Sequence, residues 1–506
     1  MLFAPKLRRF LIACNLYGFA TAQPVAYHEP YRPQFHFSPR VNWTNDPNGL
    51  VYFNGTYHLF FQHNPFGDTW GHMSWGHATS QDLVHWREQK VALREERDVM
   101  IFTGSTVVDQ NNTSGFCAGK APCLVAVYTG HTMKTDKKPA LQTQNLAHSN
   151  DGGLTWTKYS GNPVLDLHMS DFRDPKVFWS KASKRWIMVV SLPDDHKARF
   201  YGSAGLKKWT QLSEFGPEGA TGGQWECPEL FELPVDGKPN QKRWVLKIGL
   251  NPGGLQGGSG EQYFVGKFDG TKFTNDNPPS LTLWTDYGKD CYCALTFNNL
   301  PAKQPQAMLG WMNNWQYANV VPTKPWRGQM TVPRALSLKT YPEGIRLVQQ
   351  PVEALKQLRG RHYAYRDLKD FQSQTFSSQT MELVSTIGIG QASEVGWKLL
   401  ADDGTYTAVG YDVRAGQVFV DRTHSGDVSF SDKFAARVSA PFKAGAQLRL
   451  HVLVDQSSIE VFAGDGQVAL TNLVYPPGNG AKIEFYSVGG APSTIVADVF
   501  SLKSIW

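Results

Sequence analysis

The sequence of 506 residues lacks the charge and the long apolar runs that mark several protein classes. Charged residues make up only 19%, and the formal charge of +6 would fall to +3 without the basic residues Lys6, Arg8 and Arg9. Such a small excess predicts no nucleic-acid partner. Beyond the first 22 residues no apolar run is long enough to cross a bilayer, so we predict no membrane association. The sequence carries no signal of oligomeric state.

Metal-binding and phosphate-binding patterns are missing as well. The 14 histidines include no HExxH pair and no other spacing typical of metal ligands, so we predict no catalytic metal and no cofactor. The glycine-rich run GGLQGGSG at residues 253–260 lacks the Lys-Ser/Thr ending of a phosphate-binding loop. We interpret it as an ordinary loop.

Cysteine is scarce, with six residues in the chain. Cys117 and Cys123 flank a short loop and could form a disulfide in an oxidising compartment. Cys291 and Cys293 are too few for a zinc site. We therefore interpret Cys227, Cys291 and Cys293 as packed thiols.

The N-terminal 22 residues have the features of a secretory signal peptide. A basic start is followed by the apolar run Phe10–Ala20 and by Ala20-Thr21-Ala22, which fits the small-residue rule for cleavage before Gln23. We therefore predict a secreted, extracellular protein. N-glycosylation sequons begin at Asn42, Asn54, Asn111 and Asn112. Of these, Asn42 is the least expected to carry a glycan, because it lies inside a candidate site motif.

Helical periodicity is also scarce, while a loose repeat of short β-like segments runs through the first part of the chain. Each repeat holds a polar turn followed by a bulky aromatic residue. The four turns are SQDLVHW ending at Trp86, SNDGGLTW at Trp156, SAGLKKW at Trp209 and GKFDGTKF at Phe273. Short alternating runs between Gly, Pro and Asn clusters indicate an all-β protein, and the repeat favours radial four-stranded blades.

The beginnings of the repeats are comparable too. NDPNG, FTGS, FRDP, WECP and GKDCY each precede a segment of hairpin character, and they place Asp46, Gly104, Asp174, Glu226 and Asp290 at equivalent positions. We therefore predict a five-bladed β-propeller over residues 31–350. A linker with a short helix follows over residues 351–364, and a β-sandwich over residues 365–506.

Three acids occupy equivalent positions in this repeat. The first strand of each propeller blade lies nearest the central axis, so Asp46, Asp174 and Glu226 should converge at one mouth of the channel. Three neighbouring acids repel one another and raise at least one pKa, which favours a functional site over a structural role. A carboxylic acid beside a carboxylate suits glycoside hydrolysis. On this basis alone, Asp46 and Glu226 are two of three candidates for those roles.

The ordered motifs NWTNDPNG, FTGS, FRDP and WECP resemble those of glycoside hydrolase family 32, which contains invertases, inulinases and levanases. The resemblance extends over nearly the whole mature chain and includes FVDRTHSGDVSF and VDQSSIEVFAGDGQ near the C-terminus. Within the family, the chain is similar to secreted fungal exo-inulinases and invertases. The resemblance implies a five-bladed propeller followed by a sandwich. It also implies a retaining hydrolase that releases terminal β-D-fructofuranosyl units from sucrose or from fructans such as inulin and levan.

Roles for individual residues follow from the same resemblance. Asp46 matches the nucleophile, for which the mechanism requires a low pKa, and Glu226 matches the general acid/base. Asp174 matches the transition-state stabiliser, and Arg173 is expected to bind the sugar and to keep Asp174 ionised. The fructosyl-binding residues implied are Asn45, Gln62, Trp70, Phe102, Thr103, Ser105 and Trp315, with Asp290 as a further binding residue.

The chain departs from the family pattern at a few positions. Thr44 stands where members usually carry Met, and Cys291 replaces a more usual aromatic residue. Cys227 in WECP is typical of exo-acting members, which favours exo action. Two other functions stay open at this point. One is a fructosyltransferase that uses the same covalent intermediate, and the other is a carbohydrate-binding protein without turnover.

Overall fold

The computed structural model describes residues 27–136, 138–367, 370, 376–478 and 481–506. The predicted signal peptide, residues 1–22, lies outside the described residues. Within those ranges the regular structure is almost entirely β-strand, which confirms the all-β prediction, and two short 3₁₀ helices lie at Ala318–Val320 and Glu353–Leu358. None of the helices in the described part of the chain has the length and apolarity needed to cross a bilayer.

The first part of the chain forms five successive blades of four main antiparallel strands each, and the last two blades are continuous in one sheet. Blade 1 contains β1 (Asn42–Phe53), β2 (Thr56–Asn64), β3 (Ser74–Ser80) and β4 (Arg87–Glu88). Blade 2 contains β5 (Val99–Asp109), β6 (Cys123–Thr132), β7 (Leu141–Ser149), β8 (Thr157–Lys158) and the added β9 (Leu165–Met169). Blade 3 contains β10 (Arg173–Ser180), β11 (Arg185–Leu192), β12 (Lys197–Ser203) and β13 (Thr210–Phe215).

The last two blades are built in the same way. Blade 4 contains β14 (Gln224–Val235), β15 (Lys238–Asn251), β16 (Gly260–Phe268), β17 (Phe273–Asn275) and the added β18 (Leu283–Trp284). Blade 5 begins with β19 (Tyr292–Thr296) and β20 (Ala307–Trp311). After β21 (Trp326–Arg327), which pairs in parallel with β1, blade 5 continues with β22 (Arg334–Tyr341) and β23 (Gly344–Pro351).

The first strands of the blades close a ring. β1 contacts β5, β5 contacts β10, β10 contacts β14, β14 contacts β19, and β19 contacts β1. This cyclic order around one axis is the architecture of a five-bladed β-propeller, as predicted. The repeated aromatic residues lie where the outermost strands of blades 1 to 4 begin. Trp156 packs edge-on against Phe60 of blade 1 and Phe273 against Phe215 of blade 3, so the repeat reflects packing between adjacent blades.

Every inner strand carries a register shift close to the same end. The shifts lie at Thr44/Pro47, Ile101/Gly104, Arg173/Lys176, Glu226/Glu229 and Tyr292/Leu295. In three strands a proline lies in the bulge (Pro175, Pro228) or directly after it (Pro47), and a proline favours a bulge because it cannot donate to the ladder. In β5 the bulge requires Gly104, because a Cβ there would lie 2.2 Å from the carbonyl oxygen of Val127.

Two packed sheets form the C-terminal sandwich. Its strands are β24 (Arg359–Tyr365), β25 (Ser377–Ser378), β26 (Met381–Gly388), β27 (Glu394–Leu400), β28 (Tyr406–Asp412), β29 (Gln417–His424), β30 (Arg437–Pro441), β31 (Gln447–Asp455), β32 (Ser458–Ala463), β33 (Val468–Leu473), β34 (Ala481–Val488) and β35 (Thr494–Leu502). One sheet has the order β24-β35-β26-β31-β32-β33 and the other β25-β34-β27-β28-β29-β30. The expected linker 351–364 holds the 3₁₀ helix Glu353–Leu358, and its last residues belong to β24, which pairs with β35.

A buried charge network joins the sandwich to the propeller. Arg334 of β22 pairs with Asp286 at 2.8 Å and with Glu460 of β32 at 2.5 Å. His36, ahead of β1, contacts Asp455 at 2.8 Å and Glu460 at 2.9 Å through its two ring nitrogens. Because each charge in this network has opposite partners, the polar groups can be buried at the domain boundary.

Candidate active site

Asp46 lies in the β1 bulge and is only 9% exposed. Thr103 of β5 donates a hydrogen bond from Oγ1 to Asp46 Oδ2 over 2.7 Å, whereas Oδ1 is buried and accepts no hydrogen bond from the described residues. Burial raises the pKa of Asp46 to about 6, the Thr103 bond opposes this rise, and the negative charge of Glu226 adds to it. The expectation of a low pKa is therefore wrong. The unpartnered oxygen is chemically suited to forming a new bond.

Glu226 lies on β14 of blade 4, next to Arg173 on β10 of the neighbouring blade 3. Arg173 Nε and Nη2 donate to Glu226 Oε1 over 3.0 and 2.9 Å, and the Tyr292 hydroxyl of blade 5 donates to Oε2. The Glu226 side chain keeps 20% of its surface exposed, so it can exchange a proton with solvent or substrate. Both carboxylate oxygens are thus held by donors from the two neighbouring blades.

Asp174 lies in the β10 bulge with a positive φ of 66°, a region that non-glycine residues rarely adopt. The N–H of Cys227 donates to Asp174 Oδ2 over 2.9 Å. Burial raises the pKa of Asp174 to about 7, the positive charge of Arg173 opposes this, and the charges of Glu226 and Asp46 add to it. The Arg173 guanidinium hydrogen-bonds Glu226 and not Asp174, so it favours the ionised form of Asp174, as expected, through its charge alone, and burial still raises the pKa. Cys227, which directly follows Glu226, also lies with its Sγ 3.9 Å from Asp46 Oδ2. The three acids therefore lie together, as the repeat predicted.

The structure gathers Asn45, Gln62 and Trp315 on the blade 1 side of the acids. Asn45 Oδ1 accepts from Trp43 Nε1 over 2.7 Å, and Trp315 stacks on Trp43 with ring centroids 5.8 Å apart. Gln62 of β2 lies across from the bulge that holds Asn45 and Asp46, because the residues on either side of it pair with Pro47 and Thr44. All three therefore lie where they could line a pocket above Asp46.

Two further predicted binding residues, Trp70 and Phe102, are aromatic and lie closer to solvent. Trp70 is 37% exposed and meets Phe102 edge-on, with ring centroids 6.1 Å apart. Phe102 stacks on His131 at 4.4 Å and directly precedes Thr103. Ser105 is buried, and its Oγ accepts from the backbone N–H of Val177 in β10 over 2.9 Å. The hydroxyl oxygen of Ser105 therefore links blades 2 and 3 by accepting this hydrogen bond.

Asp290 is not brought to this site. It is fully buried at the domain boundary, where its carboxylate accepts from the Tyr317 hydroxyl, from Arg422 Nη1 over 2.5 Å and from the N–H of Leu473 over 2.8 Å. This placement corrects the expectation that Asp290 binds substrate. The equivalent position in blade 5 belongs to the bulge after Tyr292, and no proline marks it in the sequence.

The cysteines follow only part of the prediction. Cys117 and Cys123 form a disulfide, as expected, and Cys291 is a buried free thiol. Cys227 and Cys293 form a second disulfide across blades 4 and 5, so their interpretation as packed thiols is wrong. The sequence offered no spacing signal for this pair, because the two residues are 66 positions apart in different blades.

One group of possible metal ligands occurs in the described ranges, formed by Asp46, Cys227 and Cys293. Two of its three ligand atoms are the bonded sulfurs of the second disulfide, which are not thiolate ligands. The predicted glycosylation asparagines lie away from the acids or at the margin of β1. Asn54 and Asn111 are exposed, Asn112 is exposed with its amide bonded to Cys117, and Asn42 is half-buried at the start of β1.

A propeller that gathers three carboxyl groups at one channel mouth, followed by a sandwich, defines the class as glycoside hydrolases. Residues 36–351 match the glycosyl hydrolases family 32 N-terminal domain, and residues 354–504 match the family 32 C-terminal domain. The chain belongs to glycoside hydrolase family 32 and is a hydrolase of the β-fructofuranosidase type.

Relatives in this family are similar over almost the whole chain. A levanase of Bacillus subtilis is 46% identical, covering 95% of this chain and 72% of the levanase. An extracellular exo-inulinase of Aspergillus niger is 45% identical over 99% of both chains. The crystal structure of an exo-inulinase from Aspergillus awamori has a TM-score of 0.88 at 42% identity, covering 95% of this chain and all of that one. A β-fructofuranosidase from Schwanniomyces occidentalis complexed with fructosyl-erythritol has a TM-score of 0.85 at 33% identity, covering 94% and 99%.

Proposed function

We propose that this protein is an extracellular, retaining exo-β-fructofuranosidase that removes terminal β-D-fructofuranosyl units from sucrose, inulin or levan. The observation that carries the proposal is the pairing of two differently held carboxyl groups at one mouth. Asp46 Oδ1 has no hydrogen-bond partner among the residues that the structure describes, and Glu226 is held through both oxygens and is partly open to solvent. The extracellular exo-inulinases among the relatives support both the substrate class and secretion.

The mechanism follows from these two environments. Glu226 in its protonated form donates to the glycosidic oxygen while Asp46 attacks C2 of the fructosyl unit, which gives a covalent fructosyl-enzyme. Glu226 then accepts a proton from water, and the resulting hydroxide equivalent displaces Asp46 from C2. Two displacements restore the β configuration, and such a mechanism expects the two carboxyl groups to be about 5 to 5.5 Å apart.

Asp174 is proposed to stabilise the transition state. The Cys227 N–H holds its Oδ2, and its own N–H donates to Thr129 Oγ1 over 3.0 Å, so side chain and backbone are both fixed. A fixed carboxylate can accept hydrogen bonds from fructosyl hydroxyls that strengthen as the bond to C2 breaks. Arg173 contributes by holding Glu226 in reach of the glycosidic oxygen.

The decisive experiment measures fructose release from sucrose by Asp46→Ala, Glu226→Gln and Asp403→Ala. The first two variants should lose orders of magnitude in kcat, whereas Asp403, which lies exposed on a sandwich turn, should be replaceable without effect. Transfer to methanol, followed by NMR, should give methyl β-D-fructofuranoside if the configuration is retained. An Asp46→Ala variant that turned over sucrose at the parent rate would refute the assignment.

Two product measurements decide between the proposal and its alternatives. On inulin, exo action should give fructose alone, whereas endo action would give a ladder of oligosaccharides. At high sucrose, a hydrolase should release mainly free fructose, whereas a fructosyltransferase would accumulate kestose-type products. A fructosyltransferase would use the same covalent fructosyl-enzyme as a hydrolase. The ratio of free fructose to kestose-type products therefore distinguishes the two activities.

A further inference from the structure

Two of the bulges at the channel mouth are joined covalently. Cys227 follows Glu226 in the β14 bulge, Cys293 follows Tyr292 in the β19 bulge, and their sulfurs form a disulfide. The two cysteines are 2% and 0% exposed, with positive φ angles of 48° and 45°. Non-glycine residues keep such a backbone conformation only where the surrounding structure enforces it.

No backbone ladder holds these two bulges together. β14 pairs with β15 and, at Val235↔Leu338, with β22 of blade 5, whereas β19 pairs with β20, so the two inner strands are not paired with each other. The disulfide is therefore a covalent link between strands that share no β-ladder. In contrast, the Cys117–Cys123 disulfide closes a short loop between β5 and β6 of blade 2.

Both halves of the Cys227–Cys293 disulfide adjoin the acids. The N–H of Cys227 donates to Asp174 Oδ2 over 2.9 Å, and Cys227 Sγ lies 3.9 Å from Asp46 Oδ2. Tyr292, directly before Cys293, donates its hydroxyl hydrogen to Glu226. A disulfide has no proton to transfer, so any effect on the reaction must pass through these contacts.

We infer that Cys227 and Cys293 are positioning residues, whose disulfide holds the two bulges so that Tyr292 stays on Glu226 and the Cys227 N–H stays on Asp174. The inference rests on the proposed function, because it assigns the disulfide a role towards those acids. This role also explains the positions of the two buried cysteines, because Cys227 directly follows Glu226 and Cys293 directly follows Tyr292.

The test compares Cys227→Ala/Cys293→Ala with the matched control Cys117→Ala/Cys123→Ala, each assayed on sucrose across pH. Loss of the mouth disulfide should lower kcat about 10- to 100-fold, with a much smaller change in KM, because small displacements of catalytic groups act on the transition state. The substitution keeps the backbone N–H at position 227 but no longer holds it against Asp174, so the ionised form of Asp174 should lose stabilisation and the acid limb of kcat/KM should move to higher pH. The control should keep the parent kcat and pH profile.

A double-mutant cycle with Tyr292→Phe tests the route of the effect. If the disulfide acts through the Tyr292 hydroxyl, Cys293→Ala should cost much less in the Tyr292→Phe background than in the parent. Equal costs in both backgrounds would overturn the Tyr292 part of the inference. A folded double-cysteine variant with parental kcat and pH profile would overturn the whole.

If the double-cysteine variant does not fold, the comparison moves to the folded control variant before and after treatment with a dithiol. Opening of the mouth disulfide is then followed by thiol titration, in which Cys227 and Cys293 join the free Cys291. Activity that falls as these two thiols appear supports the inference, and unchanged activity refutes it. An inactive parent protein would instead refute the proposed function, so the two failures are distinguishable.

Discussion

Thr103 of blade 2 donates its hydroxyl hydrogen to Oδ2 of Asp46 in blade 1, over 2.7 Å. This bond crosses a blade boundary and opposes the effect of burial, which raises the pKa of Asp46 to about 6. The nucleophile must be ionised to attack, so the ionisation of Asp46 contributes to an acid limb along which kcat/KM rises with pH. The hydrogen bond from Thr103 to Asp46 should therefore affect the pH at which kcat/KM rises.

Thr103→Val should shift that acid limb to higher pH. The substitution keeps the shape of the side chain but removes the donor that favours the ionised carboxylate, so the pKa of Asp46 should rise further. A bond of about 1 kcal/mol corresponds to a shift of about 0.4 to 1 pH unit. The measurement is kcat/KM for sucrose between pH 3 and 8.

The matched control for this prediction is Thr106→Val. Thr106 lies on the same strand and is fully buried, but its Oγ1 makes no hydrogen bond to the described residues. Its replacement should leave the acid limb in place. Identical profiles for the Thr103 and Thr106 variants would show that the Thr103 bond does not tune Asp46.

Arg173→Lys should lower kcat/KM by about 100-fold or more, although the positive charge is kept. Only the guanidinium can send Nε and Nη2 together to Glu226 Oε1, as it does at 3.0 and 2.9 Å. A lysine would leave Glu226 free to rotate away from the glycosidic oxygen, and the contribution of general acid catalysis would be lost. Steady-state kinetics on sucrose measure the effect. The control is Arg199→Lys. Arg199 forms an ion pair with Glu214 between β12 and β13 of blade 3, and its replacement should leave the activity at the parental level.

Asp290→Ala should destabilise the fold and leave KM for sucrose unchanged. The substitution strands the buried Arg422 guanidinium without its counter-charge, which typically costs about 3–5 kcal/mol. The free energy of unfolding from urea titration and KM from initial rates separate the two effects. Asp432→Ala, which breaks an exposed pair with Lys433, should change neither quantity. A raised KM with unchanged stability would restore Asp290 as a substrate-binding residue.

His36 should make stability depend on alkaline pH. Burial alone lowers the pKa of His36, but its bonds to Asp455 and Glu460 outweigh burial and raise the pKa from 6.5 to about 9. The stabilisation is therefore fully present below pH 6.5 and is lost as pH rises through about 9, by on the order of 3 kcal/mol.

Replacement of His36 by Gln should flatten this dependence. The comparison is the free energy of unfolding of parent and His36→Gln at pH 6, 7.5 and 9, where the difference should shrink as pH increases. A difference that stays constant over this range would mean that His36 does not titrate in the folded protein.

Local patterns in the sequence were enough to predict the blades and the convergence of the acids. Proline after Asp46, after Asp174 and shortly after Glu226 interrupts the ladder of an inner strand, and the turn-aromatic repeat marks the outer strands. Both signals depend on residues a few positions apart, and they follow from backbone geometry alone. Blade 5 has no proline after its acid, and there the prediction selected Asp290 instead of Tyr292.

The sequence by itself determined the repeated blades, the convergence of the three acids and the family to which the chain belongs. Only the tertiary structure decided that Arg173 holds Glu226, that Asp290 joins the two domains, and that Cys227 bonds Cys293. Each of these contacts connects different blades or domains, over 53 to 132 positions of sequence. Closure of the ring and docking of the sandwich bring such residues together, and they also exclude the water that would otherwise keep the pKa values of Asp46 and Asp174 near their usual values.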